Sequence, residues 1–501
     1  MAEDEGRLME VVQVKVSIAF FSFTLSFLSF SLLLFVLRSK HAWCNCHVCK
    51  SYLNSSWTAD FANLVDWYAH LLRHSPTQTI HIHVLNNIVT ANPDNVEYML
   101  KTNFNNFPKG KAFSSILGDL LGDGIFNADG ELWNFQRKMA SLELGSSSVR
   151  SNASRIVSNE VRTRLLPLLD SVSASRGTID LQDIFRRFSF DTICKISFGL
   201  DPACLDLSLP MSEFAAAFDL ATSLSARRAT ATSPLVWKAK RLLDWGSERE
   251  LRRAIGLVDV LAGEVIRQRR RLGFSSRDDL LSRFMASVSD DKYLRDIVIS
   301  FLLAGRDTVA SGLTVFFFLL SNHPEVVSKM REEIDRVCTS SSIPSYEKLR
   351  SMSYVDAALY ECLRLYPPVQ FDSKFCVDDD VLPDGTFAKK GTRVTYHPYA
   401  MGRMDTIWGS DCASFRPERW LRGHDGTFVM LKSPFEFPVF QGGTRVCLGK
   451  EMSLMEMKTV AVSVVRQFDV EMVGSAQLPK FAPGLTATHG GGLSAWVRRR
   501  I

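Results

Sequence analysis

The sequence predicts a mainly α-helical fold with a small β-rich lobe, preceded by an N-terminal transmembrane helix. Three observations support this prediction: one long uncharged apolar run, several long segments with apolar residues at helical spacing, and a few short alternating segments separated by turn residues. The composition, 46% hydrophobic and 23% charged, is that of a globular protein with an apolar addition. A net charge of +5 is too small to indicate nucleic-acid binding.

The apolar addition is the segment Val16 to Leu37, which carries no charged residue. As a helix it is roughly 33 Å long, enough to cross a hydrocarbon core of about 30 Å. The run is too long, and its N-terminal flank too acidic, for a cleaved signal peptide. A buried core helix is rarely apolar on every face. Arg38, Lys40 and Lys50 follow the run, so the rest of the chain is predicted to face the cytosol.

These observations predict four parts of the chain. They are a luminal N-terminus (1–15), a transmembrane signal anchor (16–37), a juxtamembrane linker (38–75) and a folded catalytic body (76–501).

The body begins with a predicted hairpin from Thr79 to Thr90, which alternates and breaks at Asn86-Asn87. Asn92-Pro93 then predicts an N-cap and a first-turn proline, opening a helix that runs to about Leu100.

Most of the remaining body has helical periodicity. The clearest predicted helices are Leu132–Glu143, Leu181–Gly199, Glu248–Arg271, Tyr293–Leu320, Pro324–Val337 and Met352–Leu365. Two strand-like segments, Phe375–Val381 and Thr392–His397, surround the turn Pro383-Asp384-Gly385. The segment from Cys338 to Pro344 has no periodicity and is predicted to be a surface loop.

Ten cysteines facing the cytosol are not expected to form disulfides. Cys44, Cys46 and Cys49 cluster just after the apolar run, and three interpretations stay open for them. Reduced thiols are favoured over lipidation. A bound metal is favoured least, because no second cysteine pair with zinc-site spacing lies nearby.

One ten-residue segment indicates the chemistry: Phe440-Gln-Gly-Gly443-Thr-Arg445-Val-Cys447-Leu-Gly449. Its spacing is typical of a loop on the proximal side of a haem, with the Cys447 thiolate as axial iron ligand. Gly443 and Gly449 would let backbone approach porphyrin and sulfur, and Arg445 suits a haem propionate. The alternative, a buried free cysteine in a glycine-rich turn, does not explain five matched positions. The segment resembles the signature of the cytochrome P450 superfamily, whose fold is therefore expected.

Two further motifs fit this resemblance. Glu361-Cys-Leu-Arg364, with Arg419, resembles the buried cluster that supports the cysteine loop in the superfamily, although Glu361 and Arg364 alone would be a surface ion pair. Trp133 and Arg137 lie four apart on one helix face, where the resemblance implies contact with a haem propionate. The alternative for that pair is a half-buried tryptophan beside a solvated arginine.

The segment Ala304-Gly-Arg-Asp307-Thr308 interrupts a long apolar helix. Gly305 and Thr308 lower helix propensity, so a packing or functional reason is expected. One alternative is a glycine packed against a neighbouring helix. The resemblance implies a groove that admits dioxygen, with Thr308 holding it and a water and Asp307 supporting proton delivery.

Within the superfamily the chain resembles the plant ω-hydroxylases of family 94. The segments that carry this resemblance are Gly122–Asn127, Trp133–Arg137, Lys138–Leu144, Asp201–Leu207, Ala304–Thr308 and Gln441–Met452. The segment from Ala140 to Ser146 and the cysteines at 44–49 look most like the branch that oxidises jasmonoyl-amino acid conjugates to the alcohol and then the acid.

The resemblance implies haem b, O2 and NADPH-cytochrome P450 reductase, in the endoplasmic reticulum membrane. General fatty-acid ω-hydroxylation, hydroperoxide rearrangement without a reductase, and non-catalytic haem sensing are the alternatives.

Three sets of residues complete the expected site. An apolar channel wall is predicted from Phe104, Phe107, Phe113, Phe126, Val369, Phe371 and Leu485. A distal substrate carboxylate would meet loop residues among Lys109, Lys111, Arg227 and Arg228, each of which is otherwise a solvated surface charge. No flavin or nicotinamide fingerprint is present in the chain, so its electrons are expected from a partner reductase. The basic face that docks this acidic reductase should carry Lys138, Lys450 and Lys458.

Overall fold

The computed structural model describes residues 20–31, 44–206, 213–231, 234–273, 279–338, 343–423, 426–430, 432–474 and 477–500. The predicted luminal segment 1–15, both ends of the predicted anchor, Arg38 and Lys40 lie outside these residues, as does most of the predicted loop after Cys338. The part of the anchor that is described, Phe20–Ser31, is an apolar helix. Its phenylalanines are exposed, Phe20 at 71%.

Two compact units make up the chain. The smaller comprises Met1–Ala59 and His81–Asn87, and it contains the helix His47–Leu53 with the 3₁₀ turns Ser56–Ala59 and His83–Leu85. The larger comprises Asp60–Ile80 and Ile88–Ile501.

The larger unit is mostly helical. Its α-helices are Leu64–His74, Pro93–Glu97, Gly110–Leu121, Gly130–Leu144, Ser147–Glu160, Leu166–Ser175, Leu181–Phe198, Glu213–Thr230, Pro234–Leu242, Ser247–Leu272, Leu280–Met285, Asp291–Leu302, Thr308–Asn322, Pro324–Val337, Tyr346–Arg350, Ser353–Leu365, Pro398–Met401, Asp405–Trp408 and Lys450–Gln467. Single π-helical turns occur at Tyr98–Thr102, Val161–Leu165 and Leu303–Asp307. Short 3₁₀ turns occur at Phe104–Asn106, Pro417–Trp420, Pro438–Phe440 and Gly443–Arg445.

The strands are short. They are β1 (Thr79–Ile82), β2 (Asn87–Thr90), β3 (Thr178–Asp180), β4 (Asp372–Phe375), β5 (Asp380–Val381), β6 (Phe387–Ala388), β7 (Arg393–Tyr396), β8 (Leu421–Arg422), β9 (Thr427–Phe428), β10 (Phe468–Met472), β11 (Phe481–Ala482), β12 (Thr488–His489) and β13 (Ser494–Arg499). One sheet has the order β1-β2-β7-β4 and a second the order β10-β13-β3. Three two-stranded pairs complete the set: β11-β12, β5-β6 and β8-β9. The mainly α-helical prediction with a small β component is confirmed.

The six predicted long helices are present, and each begins and ends within two residues of its prediction. Local capping explains several of these ends. The Asn92 Oδ1 atom accepts a hydrogen bond from the Asp94 N–H (2.9 Å) and starts the helix at Pro93. Asp180 caps the helix that begins at Leu181, and Gly199 ends it with φ 65°.

Two predictions differ from the structure. The predicted strand from Phe375 to Val381 is divided between β4 and β5, because Asn106 bonds to the acidic turn between them. Its Nδ2 atom donates to Asp380 Oδ2 (2.9 Å), and its Oδ1 atom accepts from the Asp378 N–H (2.8 Å). The predicted linker 38–75 contains two helices, and the second, Leu64–His74, buries Trp67 and Leu72. The folded body therefore begins before residue 76.

The core of the larger unit is organised around Asp291–Asn322, called here the long helix. Among the described residues it is the helix long and apolar enough to cross a membrane, yet 78% of its most apolar window is buried, as in a core helix. Phe317 on the long helix stacks on Phe185 with ring centroids 5.4 Å apart. A Cβ on Gly312 would lie 2.9 Å from Met457 Sδ, so the long helix packs closely on Lys450–Gln467.

Candidate active site

The segment from Phe440 to Gly449, called here the cysteine loop, precedes the helix Lys450–Gln467. The Cys447 N–H donates to the Phe440 carbonyl (2.8 Å) and closes the loop. Gly443 has φ +59°, and a Cβ there would lie 2.0 Å from the Leu100 carbonyl oxygen. Glycine is therefore required at 443 by the protein's own backbone. A Cβ on Gly449 would lie 3.9 Å from Cys447 Sγ, an ordinary contact, so sulfur clearance does not explain this glycine.

The Cys447 side chain is accessible, yet protein surrounds it closely enough to raise the pKa of its thiol by burial. An accessible but desolvated sulfur is what the wall of an internal cavity presents. The N–H groups of Gly449 and Lys450 donate to the sulfur, and these bonds, with the positive charges of Arg137 and Lys450, oppose that rise in the thiol pKa. The loop is thus arranged to stabilise a thiolate.

Arg445 lies over two aromatic rings predicted to be near the site. Its guanidinium carbon is 4.4 Å from the Trp133 ring centroid and 5.7 Å from that of Phe104. Its Nη2 atom donates to Asp129 Oδ1 (2.7 Å) and to the Ala128 carbonyl (3.0 Å). The Nε atom is buried and has no hydrogen-bond partner among the described residues. Arg445 therefore keeps one N–H for a further acceptor.

Arg137 contacts the same loop from the helix Gly130–Leu144. Its Nη2 atom donates to the Val446 carbonyl at 2.5 Å. Burial lowers the pKa of Arg137, partly offset by Cys447. Both predicted residues therefore contact the cysteine loop: Trp133 through the Arg445 guanidinium, and Arg137 through the Val446 carbonyl.

The predicted cluster of Glu361, Arg364 and Arg419 is present and buried. Glu361 and Arg364 pair through two bonds, Arg364 Nη2 to Oε1 at 2.7 Å and Nε to Oε2 at 2.8 Å, and neither side chain is exposed. Arg419 Nε donates to Glu361 Oε1 at 3.2 Å. Trp420 Nε1 donates to Glu361 Oε2 at 2.9 Å.

The remaining guanidinium N–H groups of this cluster bond to main-chain carbonyls. Arg364 donates to Cys412 (2.6 Å), to Ser414 (3.0 Å) and also to Gly402. Arg419 donates to the Trp408 carbonyl at 2.9 Å. The cluster therefore holds the chain that leads toward the cysteine loop.

The long helix is deformed where the sequence predicted an interruption. A π-helical turn occupies Leu303–Asp307, and the Thr308 hydroxyl donates to the Ala304 carbonyl at 2.6 Å. Ala304 is exposed and Thr308 half-buried, although the helix around them is buried. An accessible patch on a core helix faces an internal space. A Cβ on Gly305 would lie 2.3 Å from Ile193 Cδ1, so Gly305 also packs against a neighbouring helix, as the alternative interpretation expected.

Asp307 is buried beside Arg306 (Nη1–Oδ1 3.4 Å), and its Oδ1 atom has no hydrogen-bond partner in the described parts of the chain. Burial raises the pKa of Asp307, while Arg306 opposes that rise. Arg306 also pairs with Asp219 through two bonds of 2.5 and 3.1 Å. Sequence reasoning missed Arg306 and Asp219. The only signal was the position of Arg306 beside the acid.

The predicted channel residues have different environments. Phe107 is fully buried, so its side chain lines no accessible wall, and the structure corrects that assignment. Phe126 is 37% exposed. Four others are half-buried, as a cavity wall requires: Phe113, Val369, Phe371 and Leu485. Phe104 is half-buried and packs on Trp133, with ring centroids 5.7 Å apart.

The basic residues proposed for a substrate carboxylate also need correction. Lys109 is buried and bonds to Asp372 (2.5 Å), and Arg228 is buried between Glu248 (Nε–Oε1 2.9 Å) and Asp119. Both charges are compensated within the protein. Arg227 and Arg228 lie in the helix Glu213–Thr230 rather than in a loop. Lys111 is exposed in the first turn of the helix Gly110–Leu121.

The predicted docking lysines divide in the same way. Lys138 is exposed and Lys450 half-buried, with the Lys450 Nζ atom 5.5 Å from the Phe440 ring centroid. Lys458 is buried and pairs with Asp356 at 2.7 Å, so its assignment to a surface patch was wrong. Burial lowers the pKa of Lys458.

These observations together fit a haem. A thiol in a desolvated but accessible position, N–H donors directed at it, a buried arginine with an unused N–H and an accessible helix face are the features that such a group requires. The chain supplies each of them from the residues described above.

Comparison with known proteins agrees with the site. The family model described as Cytochrome P450 matches residues 59–492. Cytochrome P450 94C1 of Arabidopsis thaliana is 59% identical over 94% of this chain and 96% of its own. Cytochrome P450 94B1 of the same plant is 49% identical over 87% and 88%. Cytochrome P450 94A1 of Vicia sativa is 41% identical over 90% and 89%.

A solved structure, the cytochrome P450DA heme domain, has the same fold, with a TM-score of 0.70 over 83% of this chain and 88% of its own at 21% identity. The chain belongs to the cytochrome P450 family, within its family 94, and is a haem-thiolate monooxygenase that uses haem b, O2 and reductase-supplied electrons from NADPH.

Proposed function

We propose that this monooxygenase oxidises the terminal carbon of jasmonoyl-isoleucine or 12-hydroxy-jasmonoyl-isoleucine, ending in part at the carboxylic acid. The observation that carries the proposal is the resemblance of the segment from Ala140 to Ser146 and of the cysteines at 44–49 to the branch acting on jasmonoyl conjugates. The 59% identity to cytochrome P450 94C1 over 94% of this chain supports an assignment to a branch of family 94.

We also propose roles for the site residues. Cys447 would supply the thiolate that holds the haem iron, with Phe440, Gly443 and Gly449 shaping the loop around it. The Arg445 Nε–H, buried without a partner among the described residues, supports a bond from Arg445 to a haem propionate. Trp133 and Arg137 border the same region.

The bound haem supplies the activation of dioxygen that a thiolate ligand favours. Asp307 and Thr308 supply the protons. The raised pKa of Asp307 favours its protonated form, and Thr308 is the next residue along the helix, on its accessible face. Arg306 holds the carboxyl, since its second partner, Asp219, anchors the guanidinium.

The half-buried apolar side chains of Phe113, Val369, Phe371 and Leu485 suit an apolar substrate chain. Repeated oxidation follows from the same arrangement. An alcohol that a one-ended channel already holds at the reacting centre can be oxidised again without reorientation.

We further propose that the chain is anchored in the endoplasmic reticulum membrane by the segment from Val16 to Leu37, with the catalytic body in the cytosol. The exposed apolar side chains of Phe20–Ser31 support this, since their burial in lipid removes them from water. Lys138 and Lys450 are proposed to receive an acidic surface of the reductase.

The test uses microsomes containing the protein and a plant reductase. Jasmonoyl-isoleucine, its 12-hydroxy derivative and a long-chain fatty acid are incubated in parallel with NADPH, and products are identified by mass spectrometry. The matched control is Cys447→Ala in the same membranes. We expect the hydroxy and carboxy products of the conjugates. Turnover of the fatty acid alone would refute the hormone assignment and leave the general ω-hydroxylase. NADPH-independent binding without product would favour a haem sensor.

A further inference from the structure

Three cysteines of the smaller unit lie together and are not part of the cysteine loop. The Sγ atoms of Cys44, Cys46 and Cys49 all lie within 4.8 Å of one another. Cys46 is exposed, Cys44 half-buried and Cys49 buried, and all three are free thiols. The trio therefore has one buried anchor and two sulfurs that solvent reaches.

Backbone N–H groups are directed at two of these sulfurs. The Cys49 N–H donates to Cys46 Sγ at 3.4 Å, and the Val48 N–H also donates to Cys46. The Val84 N–H, from the turn His83–Leu85, donates to the sulfur of Cys49. Such N–H bonds stabilise negative charge on sulfur, and they are the outer contacts that metal-bound thiolates receive.

The local chain geometry produces this arrangement. Cys46 is the N-cap of the helix His47–Leu53, and Cys49 lies in the first turn of that helix, which returns its sulfur toward Cys46. Cys44, two residues before Cys46, completes the group.

The separations suit a metal ion. With Zn–S bonds of about 2.3 Å, sulfurs are about 3.8 Å apart at a tetrahedral zinc, somewhat closer than the 4.8 Å limit found here. A metal ion would draw the sulfurs closer by a change of side-chain rotamer, to which the exposed Cys46 is the least hindered. Three sulfurs leave a fourth position for water or an exogenous ligand.

We propose that Cys44, Cys46 and Cys49 form a thiolate site for a soft divalent metal ion, Zn(II), bound by three sulfurs with a fourth ligand from solvent. Binding replaces the thiol protons, which pass to solvent as the three Zn–S bonds form. Affinity should therefore increase with pH.

The number of sulfurs that take part distinguishes a metal site from a redox-active cysteine pair. A disulfide would use two of the three sulfurs and would leave Cys44 without a role if Cys46 paired with Cys49. A metal uses all three. The variant Cys44→Ser therefore discriminates between the two, since it preserves the pair and removes the third ligand.

The experiment uses the full chain, purified with its haem in detergent and reduced with a phosphine. After dialysis against Zn(II), bound zinc is counted by mass spectrometry for the wild type, Cys44→Ser, the triple serine variant, and Cys338→Ser as a matched control at a buried cysteine elsewhere. We expect about one zinc per chain in the wild type and the control, loss in the triple variant, and at least about a tenfold weaker affinity for Cys44→Ser. The carbon-monoxide difference band reports folding of each variant.

A second measurement needs no variant. Iodoacetamide labelling of the wild type, mapped by mass spectrometry, should be slowed by Zn(II) at Cys44 and Cys46 and unchanged at other cysteines. Equal labelling with and without zinc, or equal zinc in the triple variant, would overturn the site. So would a Cys46–Cys49 disulfide that forms when the phosphine is removed and the zinc-loaded protein is exposed to air, or stable acylation of these cysteines in membranes.

Discussion

Glu456 offers a sharp test of how burial controls the stability of the chain. It lies in the helix Lys450–Gln467, 5% exposed, with Thr192 Oγ1 2.7 Å from its Oε1 atom. Burial raises the pKa of Glu456 from its ordinary 4.5 to about 8, and the bond from Thr192 only partly opposes this. The folded protein therefore keeps this carboxyl protonated at neutral pH.

The pH dependence follows from that shift. Below pH 4.5 both the folded and the unfolded chain hold the proton, and the full stability is present. As pH rises toward 8, the unfolded chain ionises first, so the free energy of unfolding falls across this window. Between pH 5.5 and 8 the expected loss is about 3 kcal/mol, from 1.36 kcal/mol per pKa unit.

The variant Glu456→Gln removes the titration and keeps the shape. We compare the melting temperature of the variant with that of the wild type at each pH. For a chain of this length, we expect this difference to be about 3 °C larger at pH 8 than at pH 5.5. Far-UV circular dichroism during heating at both pH values measures the difference. Glu451→Gln, at an exposed position in the same helix, is the control. Its melting temperature should differ from that of the wild type by the same amount at both pH values. An equal shift for Glu456→Gln would refute a raised pKa at this position.

Four other outcomes are expected. Cys447→Ala should abolish the carbon-monoxide difference band of thiolate haem while the chain is still made, and a retained band would exclude this ligand. Thr308→Ala should bind substrate normally but lower product formed per NADPH by about tenfold, with the balance as peroxide; an unchanged yield would mean that Asp307 and water suffice. Glu361→Gln should cost about 3–5 kcal/mol of unfolding free energy in denaturant titration, because it leaves the buried Arg364 guanidinium without a carboxylate partner. Lys138→Glu with Lys450→Glu should slow reductase-supported turnover at low salt but not peroxide-supported turnover; equal rates would exclude this docking face.

The sequence predicted the long helices well because their signal is local. Apolar spacing and capping residues such as Asn92 and Asp180 act within a few positions of the chain, and the helix boundaries follow from them. The cysteine loop was equally accessible, since its matched positions lie within ten residues. Glu361 and Arg364 could be paired from their spacing on one helix.

The errors concern residues whose environment depends on distant partners. Lys458 is buried because Asp356, far earlier in the chain, compensates its charge. Arg228 is buried because Glu248 and Asp119 meet it from two other helices. No local pattern distinguishes such side chains from solvated ones. The assignment of Phe107 to the channel wall was wrong for the same reason, because the sequence does not distinguish an aromatic residue in the core from one that lines a channel.

The buried Glu361 cluster has a consequence for how this part of the protein tolerates mutation. Most of its bonds go to main-chain atoms: the carbonyls of Cys412, Ser414 and Trp408, and the N–H of Arg416, which donates to Glu361 at 3.0 Å. A main-chain atom is the same whatever side chain it carries. The exposed, uncharged positions between 402 and 416 should therefore accept substitution with little loss. Gly402 should not, because a Cβ there would lie 2.0 Å from the Arg364 carbonyl oxygen. A saturation scan of this segment should find tolerance at the exposed positions and losses at Gly402, at Asp411, which accepts a bond from Arg419, and at the buried side chains of Met404, Ile407, Trp408, Cys412 and Phe415.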